Sequence, residues 1–150
     1  MDRLPLSQIL FISIPEALAV TFLATVLIRL EGEFNKKVLA GIFTAIASNL
    51  LRPYLGSYVL NILIYDVILI MFIRVFLRTN IFDTVMGVLV ATAIYAVIEF
   101  INMTFATWLL KISPVEIIEN FWLRVIVFSP QLLAVILLIY LLVRHDISLK

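Results

Sequence analysis

Long apolar stretches alternate with short polar ones along this chain. The apolar stretches cover about 8–30, 38–51, 57–77, 82–110 and 122–143. The first ends in the charged segment 29–37, where Gly32 is expected to stop the helix. The second is the shortest and ends at Arg52-Pro53, because proline disfavours helix at the residue before it. Arg78 and Asn80 close the third stretch, Lys111 the fourth, and Arg144-His145-Asp146 the fifth. Between the last two stands Ser113-Pro114-Val115-Glu116, a helix-start signature with a capping hydroxyl, a first-turn proline and a glutamate three residues after the cap. It predicts a short, half-polar helix over 114–120 lying at a membrane interface.

Runs of about 20 apolar residues match the thickness of a bilayer, and only helices or closed barrels satisfy their backbone there. The expected fold is all-α: one integral membrane domain over 1–150, a polytopic transmembrane bundle of about five spans plus the short interfacial helix. Composition strengthens this. Of 150 residues, 64% are hydrophobic and only 14% charged, whereas soluble domains are about half apolar and about a quarter charged. The mean hydropathy is +1.18. Net charge is +1, with no basic stripe for nucleic acid. The absence of cysteine and the single histidine, His145, exclude thiol chemistry, cysteine metal sites and multi-histidine centres. No metal or cofactor is expected.

Arg3 followed by an apolar run imitates a signal peptide, but Pro15 and Glu16 interrupt the run and it resumes afterwards, so it reads as a retained first helix. Orientation follows from the basic residues. With the N-terminus outside, seven of the eleven fall on the cytoplasmic side: Arg29, Lys36, Lys37, Arg74, Arg78, Arg144 and Lys150. Arg3, Arg52, Lys111 and Arg124 remain outside. The positive-inside rule then favours a plasma-membrane protein with its N-terminus out and C-terminus cytoplasmic. Tyr54, Tyr58, Trp108 and Trp122 would sit near the outer headgroups.

Ionisable residues inside spans cost at least about 2.5–3.5 kcal/mol at a helix centre and so face partners or water-filled cavities. Glu16, Asp66, Arg74, Glu99 and Arg124 lie within the apolar stretches, with Asn49, Asn61, Asn102 and Gln131 in support. Counting along the helices places Glu16, Asn49, Glu99, Arg124 and Gln131 at similar depth in the outer leaflet, with Asp66 near mid-span. Asn102 shares a helix face with Glu99. Two readings stand: a polar pocket open to the outside, or a buried ion-pair and hydrogen-bond set that fixes helix register. Pro15 and Pro130 each precede one of these polar residues, Glu16 and Gln131, and each is an expected kink whose freed carbonyl needs a partner. Gly41/Ala45 and Gly87/Ala91 have small-xxx-small spacing, which permits close helix contact.

Pro15-Glu16, Glu99, the segment Asn120-Phe121-Trp122-Leu123-Arg124 and Pro130-Gln131 together resemble the multi-helix sensor modules attached to, or encoded beside, accessory-gene-regulator-type histidine kinases of Firmicutes. The resemblance implies a sensing role and a kinase partner. A dimerisation-phosphotransfer helix and an ATP-binding domain are absent from the sequence, so phosphorylation is not expected of it. The expected function is a small signal-sensing or regulatory membrane module, not an enzyme, with a small molecule or peptide as candidate ligand. The bilayer, a kinase or transporter, or further copies of the chain are its candidate partners. The alternative is the substrate-binding subunit of a small-molecule uptake system, for which a mid-span Asp66 is suited.

Overall fold

The computed structural model describes residues 6–30 and 32–149. Arg3 and Lys150, both used in the charge count, and Glu31 of the charged segment lie outside the described residues. All regular elements among the described residues are helical. They are α1 (Leu6–Leu27), α2 (Phe34–Leu51), α3 (Tyr58–Leu77), α4 (Ile81–Leu110), α5 (Pro114–Glu119) and α6 (Phe121–Arg144). Four of them, α1, α3, α4 and α6, are long and apolar enough to cross a membrane. The expected second span is α2, which starts four residues earlier than its apolar run and carries Asn35, Lys36 and Lys37 in its first turn. Those polar residues keep α2 out of the strongly apolar set. Its 18 residues still reach about 27 Å at 1.5 Å per residue.

Neighbouring helices alternate in direction. Phe34 at the start of α2 meets Phe22 near the end of α1, and Gly41 meets Leu18. Leu77 at the end of α3 packs on Gly32, just beyond the end of α1. Gly87 near the start of α4 abuts Ala24 and Ile28 of α1. Gln8 and Arg124 join the start of α1 to the start of α6, while Leu149 bonds Leu27 at the opposite end. Among the described residues, α1, α2, α3, α4 and α6 therefore run in alternating directions along the chain.

α1 is the most enclosed of the four apolar helices and packs against α2, α4 and α6. Its Ala19, Val20, Leu23, Ala24 and Leu27 are buried with Leu69, Ile73, Val88, Ala91 and Val135. Glycines make the close approaches possible. A Cβ on Gly41 would stand 3.2 Å from the Leu18 Cα, and one on Gly87 would stand 3.0 Å from the Ala24 carbonyl oxygen. Both glycines of the small-residue pairs thus face α1, as their spacing predicts. The outer faces carry exposed Leu63, Val67 and Met71 on α3, Phe100 and Ile101 on α4, and Leu133 and Leu137 on α6. Helices apolar on both inner and outer faces suit a hydrocarbon surround.

Local details place the polar residues. Ser57, Asn80, Ser113 and Asn120 each cap the helix that follows, their side-chain oxygens accepting from Leu60, Phe82, Glu116 and Leu123 N–H groups. Asn120 in this way fixes where α6 starts and so where Arg124 stands. Ahead of Pro15, the segment Ile9–Ser13 is a wide π turn in which the Ile14 N–H reaches back to the Ile9 carbonyl. Proline has no N–H for the carbonyl four residues before it, and the wider turn is the local adjustment. Gly32 is not the helix-stopping residue; Arg29 takes the left-handed conformation, φ 51°.

Candidate functional site

In the half of the bundle that holds the starts of α1 and α6, Glu16, Glu99 and Arg124 come together around a cavity of about 210 Å³. Glu16 and Val20 of α1 form one wall. Thr92, Tyr95, Ala96 and Glu99 of α4 form a second, and Tyr58, Asn61, Ile62 and Tyr65 of α3 a third. Arg52, from the short 3-10 turn Arg52–Tyr54 after α2, and Arg124 of α6 complete it. A smaller void of about 50 Å³ lies against it and shares Glu16, Tyr95, Glu99 and Arg124. Gln131, Met103, Ile117 and Phe128 are among its other lining residues.

The helical repeat explains the gathering. Thr92, Tyr95, Ala96 and Glu99 recur at three- and four-residue steps and so form one stripe of α4. Tyr58, Asn61, Ile62 and Tyr65 do the same on α3. Asn102, one step beyond Glu99, donates its side-chain amide to the Val127 carbonyl at 2.8 Å. Val127 is in turn three residues beyond Arg124, so this bond holds the Glu99 turn of α4 against the Arg124 turn of α6.

The charges facing the cavity are not consumed by one another. Glu16 is within electrostatic reach of Glu99, Arg124 and Arg52, and Arg52 of Arg124. Among the described residues, neither Glu16 nor Glu99 forms an ion pair or a hydrogen bond, and neither does the Arg52 side chain. Arg124 donates to the Gln8 Oε1 at 3.2 Å. The Tyr65 and Tyr95 hydroxyls are buried without a hydrogen-bond partner, although Tyr95 lies beside Gln131. Buried polar atoms are ordinarily paired. Among the described residues, four polar side chains without direct protein partners (Glu16, Glu99, Arg52 and Tyr65) therefore surround one small cavity and distinguish this place from the rest of the core.

The sequence-derived candidates divide between this cavity and the helix contacts. Glu16, Glu99 and Arg124 line the larger void, and Gln131 lines the smaller one. Asn102 bridges α4 to α6. Asp66 is buried and accepts from the Thr92 hydroxyl at 2.8 Å, joining α3 to α4 immediately behind the cavity wall. Asn49 is buried near the end of α2 and is engaged by the protein. Pro15 and Pro130 do not line the polar cavities; Pro15 borders an apolar groove with Phe22 and Leu132, and Pro130 is on the exposed side of α6. It is their neighbours Glu16 and Gln131 that face inward.

Sequence reasoning missed Arg52, Tyr65, Thr92 and Tyr95 as site residues and placed Tyr58 at the headgroups. Arg52 read as the end of a span, and tyrosines count as apolar in a hydropathy pattern. The available signal was the stripe on α4, in which Thr92 and Tyr95 share a face with Glu99. Among the described residues no group of three or more His, Cys, Asp or Glu side chains is placed to hold a metal ion. No family model, curated protein or solved structure matches this chain.

Proposed function

We propose that the chain is a small signal-sensing membrane module. It binds a signal in the Glu16–Glu99–Arg52–Arg124 cavity from the outer side and passes the change to a cytoplasmic or membrane partner such as a sensor kinase. In this reading α2 also crosses the membrane, as the second of five spans, the N-terminus is outside and the C-terminus is cytoplasmic, and α5 lies at the outer interface. The observation that carries it is the cavity itself, whose charged groups come from four separate elements without pairing directly. A ligand that engages them draws those elements together, and differential affinity for two arrangements of the helices is what a sensor requires.

A route for the signal supports the reading. α1 and α6 each bear a cavity residue, Glu16 midway along α1 and Arg124 in the first turn of α6, and the two helices meet again at their C-terminal ends. There Arg29 pairs with Asp146 at 3.2 Å and also donates to the Asp146 carbonyl at 3.0 Å. The Leu149 N–H donates to the Leu27 carbonyl at 2.7 Å. Tilting α1 against α6 at the cavity moves the chain that leaves the membrane at residues 145–149. The test is the Glu16→Gln/Glu99→Gln variant in cells carrying the partner kinase and a transcriptional reporter. Loss of signal-dependent output at unchanged membrane abundance is expected; unchanged output across the signals tested overturns the reading.

The buried Asp66–Thr92 pair behind the cavity favours a second reading, the substrate-binding subunit of an uptake system, because ionisable groups beside a substrate site suit coupled transport. Proteoliposomes that accumulate substrate with a partner motor, and lose accumulation in Asp66→Asn, would favour it over sensing.

A further inference from the structure

The arrangement of charge names the class of ligand. Glu16 stands within electrostatic reach of Glu99 and of both guanidiniums, Glu99 of Arg124, and Arg52 of Arg124, yet among the described residues none of the four is in direct contact with an opposite charge. Such groups are costly in a low-dielectric surround unless something pairs them. A purely cationic ligand answers the carboxylates and leaves the guanidiniums facing one another, and a purely anionic ligand does the reverse. The volume is a second constraint. About 210 Å³ is below the ~300–1,000 Å³ of sites for drug-sized molecules, so both charges must be carried by a small molecule. The third observation is Tyr95, a buried residue that lines both voids and whose hydroxyl has at most Gln131 beside it. The remaining wall, Val20, Ile62 and Ala96, is apolar.

We propose that the cavity binds a small zwitterion of free amino-acid size. Its ammonium is held by Glu16 and Glu99 and its carboxylate by Arg52 and Arg124. Tyr95 bonds one of the two head groups, and a modest apolar side chain rests on Val20, Ile62 and Ala96. This assignment rests on the ligand-binding reading above but not on the signalling step.

The test uses the purified full-length protein in nanodiscs and measures thermal stabilisation and binding by calorimetry. The probes are glycine, alanine, valine, serine and leucine, each beside its N-acetyl and its amide derivative. N-acetylation removes the positive charge, and amidation removes the negative one. The expected result is stabilisation by at least one free amino acid and binding weaker by about tenfold or more for both of its derivatives, which is ~1.4 kcal/mol or more. Arg52→Gln/Arg124→Gln should then restore relative preference for the amide, and Glu16→Gln/Glu99→Gln for the N-acetyl form. Binding of one derivative as tight as that of the free amino acid overturns the zwitterion assignment, and so does no binding of any free amino acid to wild-type protein. Failure of signalling is separable: amino-acid binding with unchanged reporter output in the carboxylate variant overturns the sensor reading and leaves the ligand class standing.

Discussion

Asn102 on α4 donates to the Val127 carbonyl on α6 across 2.8 Å, and this bond sets the register of Glu99 against Arg124. Each charged residue lies three positions before its anchored neighbour, on the same helix face. A polar contact between helices therefore aligns a charged site beside it without taking part in it. Replacing Asn102 by Leu should lower stability by about 1 kcal/mol, in the range of hydrogen bonds between membrane helices, and weaken ligand binding as well. Unfolding in mixed micelles with a binding assay checks both.

Close packing on α1 predicts a graded glycine series. Gly87→Ala places a methyl 3.0 Å from the Ala24 carbonyl oxygen and 2.7 Å from Ile28 Cγ2. Gly41→Val places its Cβ 3.2 Å from the Leu18 Cα, with two further methyls beyond it. Overpacking of this kind costs about 1–3 kcal/mol. Gly56 has nothing within 4 Å of an added Cβ, so Gly56→Ala should stay within about 0.5 kcal/mol of wild type. Melting temperatures of the three variants in one detergent decide this.

The Asp66–Thr92 contact predicts an asymmetry between its two partners. Thr92→Val removes the hydroxyl that meets Asp66 Oδ1 and leaves a buried carboxyl unpaired, a loss of about 1–3 kcal/mol. Asp66→Asn keeps an acceptor oxygen for Thr92 and removes the ionisable group, so its stability should equal or exceed that of wild type. Chemical unfolding of the two variants tests the order.

At the opposite end of the bundle, Arg29 and Asp146 are both solvent-exposed. Exposed ion pairs contribute about 0–1 kcal/mol. Asp146→Ala should therefore leave the melting temperature nearly unchanged while loosening residues 145–149, whose Leu149 N–H is held by the Leu27 carbonyl. Faster amide exchange confined to that segment is the expected signature.

Much of this fold was legible because hydrocarbon burial imposes one rule on every span. The ends of α1, α3, α4 and α6 fell within a few residues of the apolar runs, and the cap at Ser113 was readable from its own tetrapeptide. α2 was read four residues too short because Asn35, Lys36 and Lys37 looked like loop, although helix formation tolerates such residues in an exposed first turn. The gathering of Glu16, Glu99 and Arg124 was legible from depth counted along helices. Depth does not give rotation about the helix axis, so it did not separate these three from Asn49, which is buried and engaged by the protein without lining either void. Tyr65 and Tyr95 were invisible for a different reason: an aromatic ring satisfies a hydropathy pattern whether its hydroxyl faces lipid or a cavity.

On the proposed reading, Glu16 and Glu99 serve a ligand rather than the fold. The most direct measurement is the unfolding free energy of Glu16→Gln/Glu99→Gln against wild type, without added ligand. Two carboxylates without a direct partner among the described residues should be replaceable by neutral amides at no cost, so a variant at least as stable as wild type is expected. A variant less stable by about 3 kcal/mol or more, the loss on breaking a buried ion pair, would contradict it and make the cluster a structural lock.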